Sequence, residues 1–251
     1  MPPLDTAEEQ SSHVCPAPTL SLQLHSLDDA GVERFARSMQ AHLSLRQCLE
    51  EVWRALRYDA PEAPACRKVT CLTLVVRPMD GVAHTAGAAG QDDHKQIHLA
   101  AGHIARCHAS DDAALHEIKG VLWHEMVHVL QHDGRGTVPG GLIEGIADWV
   151  RLKCGLAPPH WARTPGPSWD AGYEKTGESY FLVWVSDHVG EPRLVPGLNA
   201  AFATAEWDNG AAFRTLCNGQ TVEELWAAYL KSFDGDRTAA PPARPTEAAR
   251  P

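Results

Sequence analysis

The segment His124-Glu125-Met126-Val127-His128 holds two histidines four residues apart and a glutamate directly after the first. On a helix, residues at i and i+4 share a face, so the two imidazoles can bind one zinc ion. Glu125 then lies beside the ion, where its carboxylate can take a proton from the attacking water. The spacing predicts a catalytic site with one zinc ion, in which His124 and His128 are ligands and Glu125 is the general base.

A catalytic zinc ion needs a third protein ligand and one open position. Gly134 stands where a third histidine follows in some zinc peptidases, so the third ligand must come from elsewhere. A second helix, expected at Leu142–Lys153 after a Pro-Gly-Gly turn, can fold back along the first. It would bring Glu144 to the histidines as the third ligand. Asp148, one turn later, would accept the free ring N–H of a zinc-bound histidine.

These four positions also have a reading without metal. His124 and His128 can be histidines whose hydrogen bonds are satisfied within the core, and Glu144 and Asp148 can lie on a solvated helix face. The motif is therefore a hypothesis that its structural context must support.

The helix that carries the motif is readable in the sequence. Asp111 opens it with acidic residues in the first turn, and we expect it to run to about Asp133 and end at Gly134. Seven of the residues in Val121–Leu130 are apolar, and they lie all round the helix. This pattern is typical of a central, buried helix.

Strands are predicted mainly before the motif and helices mainly after it, which indicates an α+β fold. Residues 1–19 and 236–251 lack periodicity and are expected to be disordered tails, which leaves one domain at 20–235. The expected elements are a helix or helix pair from its capping Ser26 to about Tyr58, strands at Val69–Val76 and Gln96–Ala100 with a loop at Gly81–Gly90, and helices near Tyr173–Val189, Leu194–Thr204, Gly210–Cys217 and Val222–Lys231.

Charge and hydropathy exclude several classes of partner. The formal net charge is −10 and the pI about 5.7, the wrong sign for neutralising phosphates, so we expect neither nucleic acid nor an anionic membrane as partner. The longest apolar runs, such as Leu72–Val76, are far shorter than the roughly 20 residues of a membrane span.

The N-terminus has neither the basic start nor the apolar stretch of a secretion signal. The seven cysteines are an odd number, so we expect mostly free thiols in a reducing compartment, although Cys66 and Cys71 are close enough in sequence to bridge. The expected location is therefore cytoplasmic, with a secreted mature form as the alternative.

Other histidines are weaker metal candidates. His132 continues the i, i+4 row from His128, but it would occupy a position that catalytic zinc keeps open. The residues for a second metal site match no trusted ligand spacing; they are His98, His103, Cys107 and His108.

The motif belongs to a longer series of recognisable stretches. The two central ones are Gly120–Gln131 and Pro139–Arg151, and the others are Met79–Ala83, Gln96–His98, Ala157–Trp161, Trp169–Tyr173, Leu225–Trp226 and Tyr229. Together they resemble the plant and fungal basic secretory protein family of peptidases, over roughly residues 25 to 233. The acidic composition and the absence of a visible signal depart from both words of that name.

The resemblance implies a gluzincin-like metallopeptidase with a zincin-like single domain. Its small, twisted N-terminal β-sheet would lie over the active-site helix, and its C-terminal part would be mostly helical. It implies zinc ligands at His124, His128 and Glu144, with Glu125 as general base.

The resemblance also implies an edge strand that holds extended substrate by β-pairing. We place this edge at Gln96–Ala100, with Ile97, His98 and Leu99 as the substrate-binding residues. Tyr173 lies in a matched stretch and is the candidate donor to the tetrahedral oxyanion; a packed aromatic side chain is the alternative.

The predicted function is a zinc-dependent metallopeptidase that hydrolyses peptide bonds of a peptide or protein substrate through a zinc-activated water. Two alternatives remain: a non-catalytic, zinc-stabilised binding or defence protein on the same fold, and a zinc hydrolase of non-peptide amides. The presence of Glu125 disfavours the first, because a non-catalytic site needs no base. Endo- or exopeptidase action, substrate preference and oligomeric state stay open.

Overall fold

A computed structural model describes residues 14–161, 165, 168–170 and 178–234. Most of the predicted N-terminal tail, the whole of the predicted C-terminal tail and Tyr173 lie outside these residues. The elements, in chain order, are β1 (Thr19–Leu24), α1 (Ala30–Ser38), α2 (Ala41–Ala55), β2 (Cys71–Arg77), β3 (Ala83–Ala88), β4 (Gln91–Ala100), α3 (Ala101–Arg106), α4 (Asp111–Leu130), α5 (Gly140–Lys153), α6 (Glu178–Val189), α7 (Leu194–Thr204), α8 (Ala211–Leu216) and α9 (Val222–Asp234).

The fold is α+β, as predicted. A four-stranded sheet has the order β1-β2-β4-β3. The strands β1, β2 and β4 are parallel, and β3 runs antiparallel to β4. None of the described helices is long and apolar enough to cross a membrane.

The segment Gly81–Gly90, predicted as a loop, contains the strand β3. Its alanines and glycines have low strand propensity, but pairing with β4 supplies a ladder of backbone hydrogen bonds that overrides it. Gly81 and Gly90 flank the strand with φ of 80° and 73°. The two glycines therefore mark the turns at its ends, where a positive φ is needed.

Gln96–Ala100, predicted as the edge strand, is an interior strand, and this prediction is wrong. It is the end of β4, which pairs with β2 on one side and β3 on the other. Ile97 and Leu99 are fully buried, and His98 between them faces the opposite side of the sheet. The segment predicted as a loop forms β3, which covers the side of β4 that was expected to be free. The edge of the sheet on that side is therefore β3.

The helix α4 lies at the centre of the molecule and packs on β3, β4, α2 and α5. The Ser110 hydroxyl caps its start by accepting the amide N–H of Ala113 at 3.3 Å. It ends at Leu130, earlier than predicted, because side chains from other elements bind the backbone there. The Tyr58 hydroxyl donates to the Leu130 carbonyl at 2.8 Å, and the Asn199 side chain accepts the backbone N–H of His132 at 2.9 Å.

The predicted N-terminal helical region is a pair, α1 and α2. Asp29 rather than Ser26 caps α1, since its side chain accepts the backbone N–H of Gly31 at 2.8 Å. Ser26 instead forms a turn with φ of 58°. The sequence reasoning missed β1 and α3. The C-terminal helices α6 to α9 overlap the ranges in which they were expected, and the part of the first range before Glu178 lies outside the described residues.

Candidate active site

Three predicted ligand residues converge where α4 and α5 pack against each other. His124 Nε2 lies 3.0 Å from Glu144 Oε2, and His128 Nε2 lies 3.1 Å from His124 Nε2 and 3.5 Å from the same oxygen of Glu144. The two imidazole planes are nearly perpendicular, at 82°. Within the described residues, this is the one group of three or more histidine, cysteine or acidic side chains whose ligand atoms meet closely enough to hold a metal ion.

The triangle fits a tetrahedral zinc ion. With zinc–nitrogen and zinc–oxygen bonds of about 2.0–2.1 Å, ligand atoms at two corners of a tetrahedron lie about 3.3 Å apart. The three observed separations of 3.0, 3.1 and 3.5 Å bracket that value. Two imidazoles and one carboxylate are also a donor set used by catalytic zinc.

Each histidine is held from behind at its other ring nitrogen. Asp148 Oδ1 lies 2.7 Å from His124 Nδ1, the contact predicted from the spacing along α5. The Gln131 amide lies 2.8 Å from His128 Nδ1. Both Nε2 atoms therefore face the same point. Asp148 is 7% exposed and Gln131 3% exposed, so both supports are buried.

The protonation equilibria show how strongly these groups are coupled. Burial lowers the pKa of His124, but hydrogen bonds to Asp148 and Glu144 outweigh it and raise this pKa to about 10. Burial raises the pKa of Glu144, but the two imidazoles outweigh it and lower this pKa to about 2. The carboxylates of the site thus stabilise a positive charge placed between them.

Glu125 lies in the same cavity, beside the strand β3. A cavity of about 350 Å³ is lined by Ala83, His84 and Thr85 of β3 and by His124, Glu125, His128 and Glu144. The Thr85 hydroxyl lies 2.7 Å from Glu125 Oε2 and 2.9 Å from the Glu125 backbone carbonyl. A hydroxyl has one proton to donate, so these two acceptors of Glu125 share it.

A second cluster of charged side chains lies between α3, α4 and α5, and we call it the arginine cluster: His103, Glu117 and Arg151. Arg151 Nη2 pairs with Glu117 Oε2 at 2.8 Å, and His103 Nε2 lies 3.7 Å from Glu117 Oε1. This cluster lines a neighbouring cavity of about 280 Å³ that His124 and Glu125 also line. Burial raises the pKa of Glu117, but His103 and Arg151 lower it below its ordinary value, so this carboxylate stays ionised.

The weaker metal candidates do not assemble. The four residues suggested for a second site are not among the group that the described residues bring together, and neither is His132. The backbone of His132 instead donates to Asn199, and its ring packs edge-on against Tyr58. All seven cysteines are free, Cys66 and Cys71 included.

Sequence reasoning missed Thr85 and Gln131. Thr85 lies in a segment predicted as a loop, and its role depends on β3 passing over α4. Gln131 follows the motif directly, but no local pattern distinguishes an inward-pointing amide from a solvated one. Its only signal was position: it stands three residues after His128, on the same face of a helix if the helix continued.

A comparison with protein-family models supports the resemblance found in the sequence. Residues 17–229 match a family model described as "BSP: Peptidase of plants and bacteria". Searches of curated proteins and of solved structures find no match to the chain. Because the family match covers most of the sequence, including α4, α5 and the strand β3, the chain belongs to the basic secretory protein family of peptidases.

Proposed function

We propose that this chain is a zinc-dependent peptidase in which His124, His128 and Glu144 hold one zinc ion and Glu125 is the general base. The observation that carries the proposal is the convergence of three ligand atoms, 3.0–3.5 Å apart, in the cavity that Glu125 also lines. When bound there, zinc supplies a water of lowered pKa and polarises the scissile carbonyl.

The remaining roles in the reaction belong to three side chains of the chain itself. Glu125 takes the proton of the attacking water and delivers it to the leaving amine. Thr85 keeps the Glu125 carboxylate turned into the cavity by its hydrogen bond to Oε2. Asp148 accepts the ring N–H of His124 and so fixes the imidazole that binds zinc.

Extended substrate would bind along β3. One side of this strand pairs with β4, and the described chain places no strand on its other side. An open strand edge beside the catalytic groups can pair with a peptide backbone, whose side chains then enter the adjacent pockets. We keep Tyr173 as the proposed donor to the oxyanion, on the strength of the family stretch in which it lies.

The first test is the metal content of the purified protein, by elemental mass spectrometry without added metal. We expect about one zinc per chain in the wild type and its loss in Glu144→Ala. A wild-type protein that takes up no metal, even when zinc is offered, would overturn the zinc site and the proposed mechanism with it.

The second test separates binding from catalysis. Glu125→Gln should keep zinc and lower hydrolysis of casein or a quenched peptide by about 10²- to 10⁴-fold, because the amide cannot take the proton. Cleavage at the wild-type rate would contradict the assignment of Glu125. A zinc-loaded wild type that leaves proteins, peptides and small amides intact would instead indicate a binding protein on the same fold.

A further inference from the structure

Gln131 is a buried amide in contact with one of the proposed zinc ligands. It follows α4 directly and is 3% exposed. Its amide nitrogen lies 2.8 Å from His128 Nδ1, while its carbonyl oxygen is buried and has no hydrogen-bond partner among the described residues. Among the described residues, the contact with His128 is therefore the one hydrogen bond that orients this side chain.

The two ends of a glutamine amide have nearly the same shape, so the end that faces a partner follows from the partner's hydrogen. Among the described residues no donor engages the Gln131 oxygen, so turning the amide over breaks only the contact of its nitrogen with His128, which a contact of its oxygen can replace. The protonation of the His128 ring consequently decides whether the nitrogen or the oxygen of Gln131 faces it.

The opposite edge of the ring fixes that protonation. His128 Nε2 lies 3.1 Å from His124 Nε2 and 3.5 Å from Glu144 Oε2, at the point where the proposed ligands meet. A ligand nitrogen must offer a lone pair, so a neutral imidazole that binds through Nε2 carries its proton on Nδ1. That proton points at Gln131.

We infer that Gln131 is a positioning residue for zinc binding. In the metal-binding form it presents its amide oxygen to His128, accepts the Nδ1–H and holds the Nε2 lone pair towards His124 and Glu144. The inference rests on the proposed zinc site. It gives His128 the support that Asp148 gives His124, from a neutral amide rather than a carboxylate.

The test is zinc affinity, measured by competition with a chromophoric chelator. Gln131→Leu removes the acceptor at similar size and should weaken zinc binding about tenfold, the lower end for the loss of such a partner. Gln131→Glu offers only acceptors when ionised and should keep or strengthen the binding. The matched control is Gln47→Leu, which removes an exposed glutamine of α2 bonded to Glu51 and should leave the affinity unchanged.

The Glu variant decides the direction of the hydrogen bond. If Gln131 instead donated to a bare Nδ1, a carboxylate there would face a lone pair, and Gln131→Glu would lose zinc as Gln131→Leu does. That result, or unchanged affinity in Gln131→Leu, would overturn the inference. A wild type that binds no zinc would overturn the proposed function instead, so the two failures are distinguishable.

A second readout needs no substitution. The ¹⁵N shifts of the histidine rings in zinc-loaded wild-type protein report which nitrogen carries the proton. We expect His128 to be protonated at Nδ1 in the zinc-loaded wild type. A bare Nδ1 on His128 in the loaded protein would contradict the inference even if the Gln131 variants failed to fold.

Discussion

Two clusters of charged and imidazole side chains lie where α4 packs on α5, and they differ in what balances their carboxylates. In the arginine cluster, Arg151 pairs with Glu117 at 2.8 Å, and both side chains are more than 90% buried. In the other, which we call the ligand cluster, Glu144 and Asp148 pair with histidines, and in the described part of the chain neither forms an ion pair with lysine or arginine.

The backbone around the arginine cluster leaves space for the Arg151 guanidinium and binds it. A Cβ at Gly120 would lie 2.5 Å from Arg151 Nε and 2.7 Å from the Leu156 carbonyl. Only glycine leaves room on α4 for the guanidinium, which donates to that carbonyl at 2.9 Å. Trp161 covers it, with the ring centre 5.2 Å from the guanidinium carbon.

This difference indicates what each cluster is for. A buried carboxylate needs a counter-charge, and Glu117 has one in the guanidinium of Arg151, 2.8 Å away. The two carboxylates of the ligand cluster have only imidazoles, whose positive charge depends on taking up protons. A divalent cation would supply that charge without protonating either ring, which is why the ligand cluster fits a metal ion and the arginine cluster a structural role.

The largest expected effect comes from removing the counter-charge of the arginine cluster. Arg151→Met leaves Glu117 buried with only His103 at 3.7 Å, without its arginine, and should lower the free energy of unfolding by about 3–5 kcal/mol. Urea denaturation followed by circular dichroism measures it. The folded fraction should still bind one zinc ion per chain, because the ligand cluster is left intact.

The control is Arg37→Met, which breaks exposed ion pairs of Arg37 with Asp111 and Glu33. It should change the stability by at most about 1 kcal/mol. A similarly small loss in Arg151→Met, or loss of zinc from its folded fraction, would break the division between a structural and a metal-binding cluster.

A smaller effect is expected from Asp148, which supports the ligand cluster from behind. Asp148→Leu removes the acceptor of the His124 N–H and should lower zinc affinity by about 10- to 100-fold. Asp148→Asn keeps an acceptor without the charge and should fall between the leucine variant and the wild type. Chelator competition measures both.

Asp187→Leu, at an exposed position on α6, is the matched control and should leave zinc affinity unchanged. If Asp148→Leu bound zinc as tightly as this control, the contact between Asp148 and His124 would be a core hydrogen bond without influence on the metal. The ligand cluster would then end at its three ligands.

The parts of the site that the sequence predicted are those set by short-range geometry. His124 and His128 share a face because α4 is a regular helix, and Glu144 and Asp148 follow on one face of the next helix. The connection between the two helices, residues 131–139, then brings them together. The periodicity of each helix and the Pro-Gly-Gly turn before the second one account for this prediction.

The parts that were missed depend on pairing between distant segments. Which strand forms the edge of the sheet is decided by β3 pairing with β4, and the alanines and glycines of β3 do not announce a strand. Thr85 reaches Glu125 only because of that pairing. The Glu117–Arg151 pair joins residues on two helices, and nothing in the local sequence marks either one as buried.

The smallest effect should come from Thr85, which connects the edge strand to Glu125, the proposed general base. Thr85→Val removes the hydroxyl at nearly constant shape, and a lost hydrogen bond to a carboxylate is worth about 1.5 kcal/mol or more, so we expect kcat to fall about tenfold. The value of KM and the zinc content should stay close to those of the wild type, and Thr85→Ser should restore kcat.

Thr70→Val is the matched control, since it removes an exposed hydrogen bond from a threonine hydroxyl to the carboxylate of Asp93, 2.9 Å long and away from the site. If Thr85→Val kept its kcat but raised KM, β3 would serve to bind substrate without positioning the base, and the ligand cluster would need no support from the sheet.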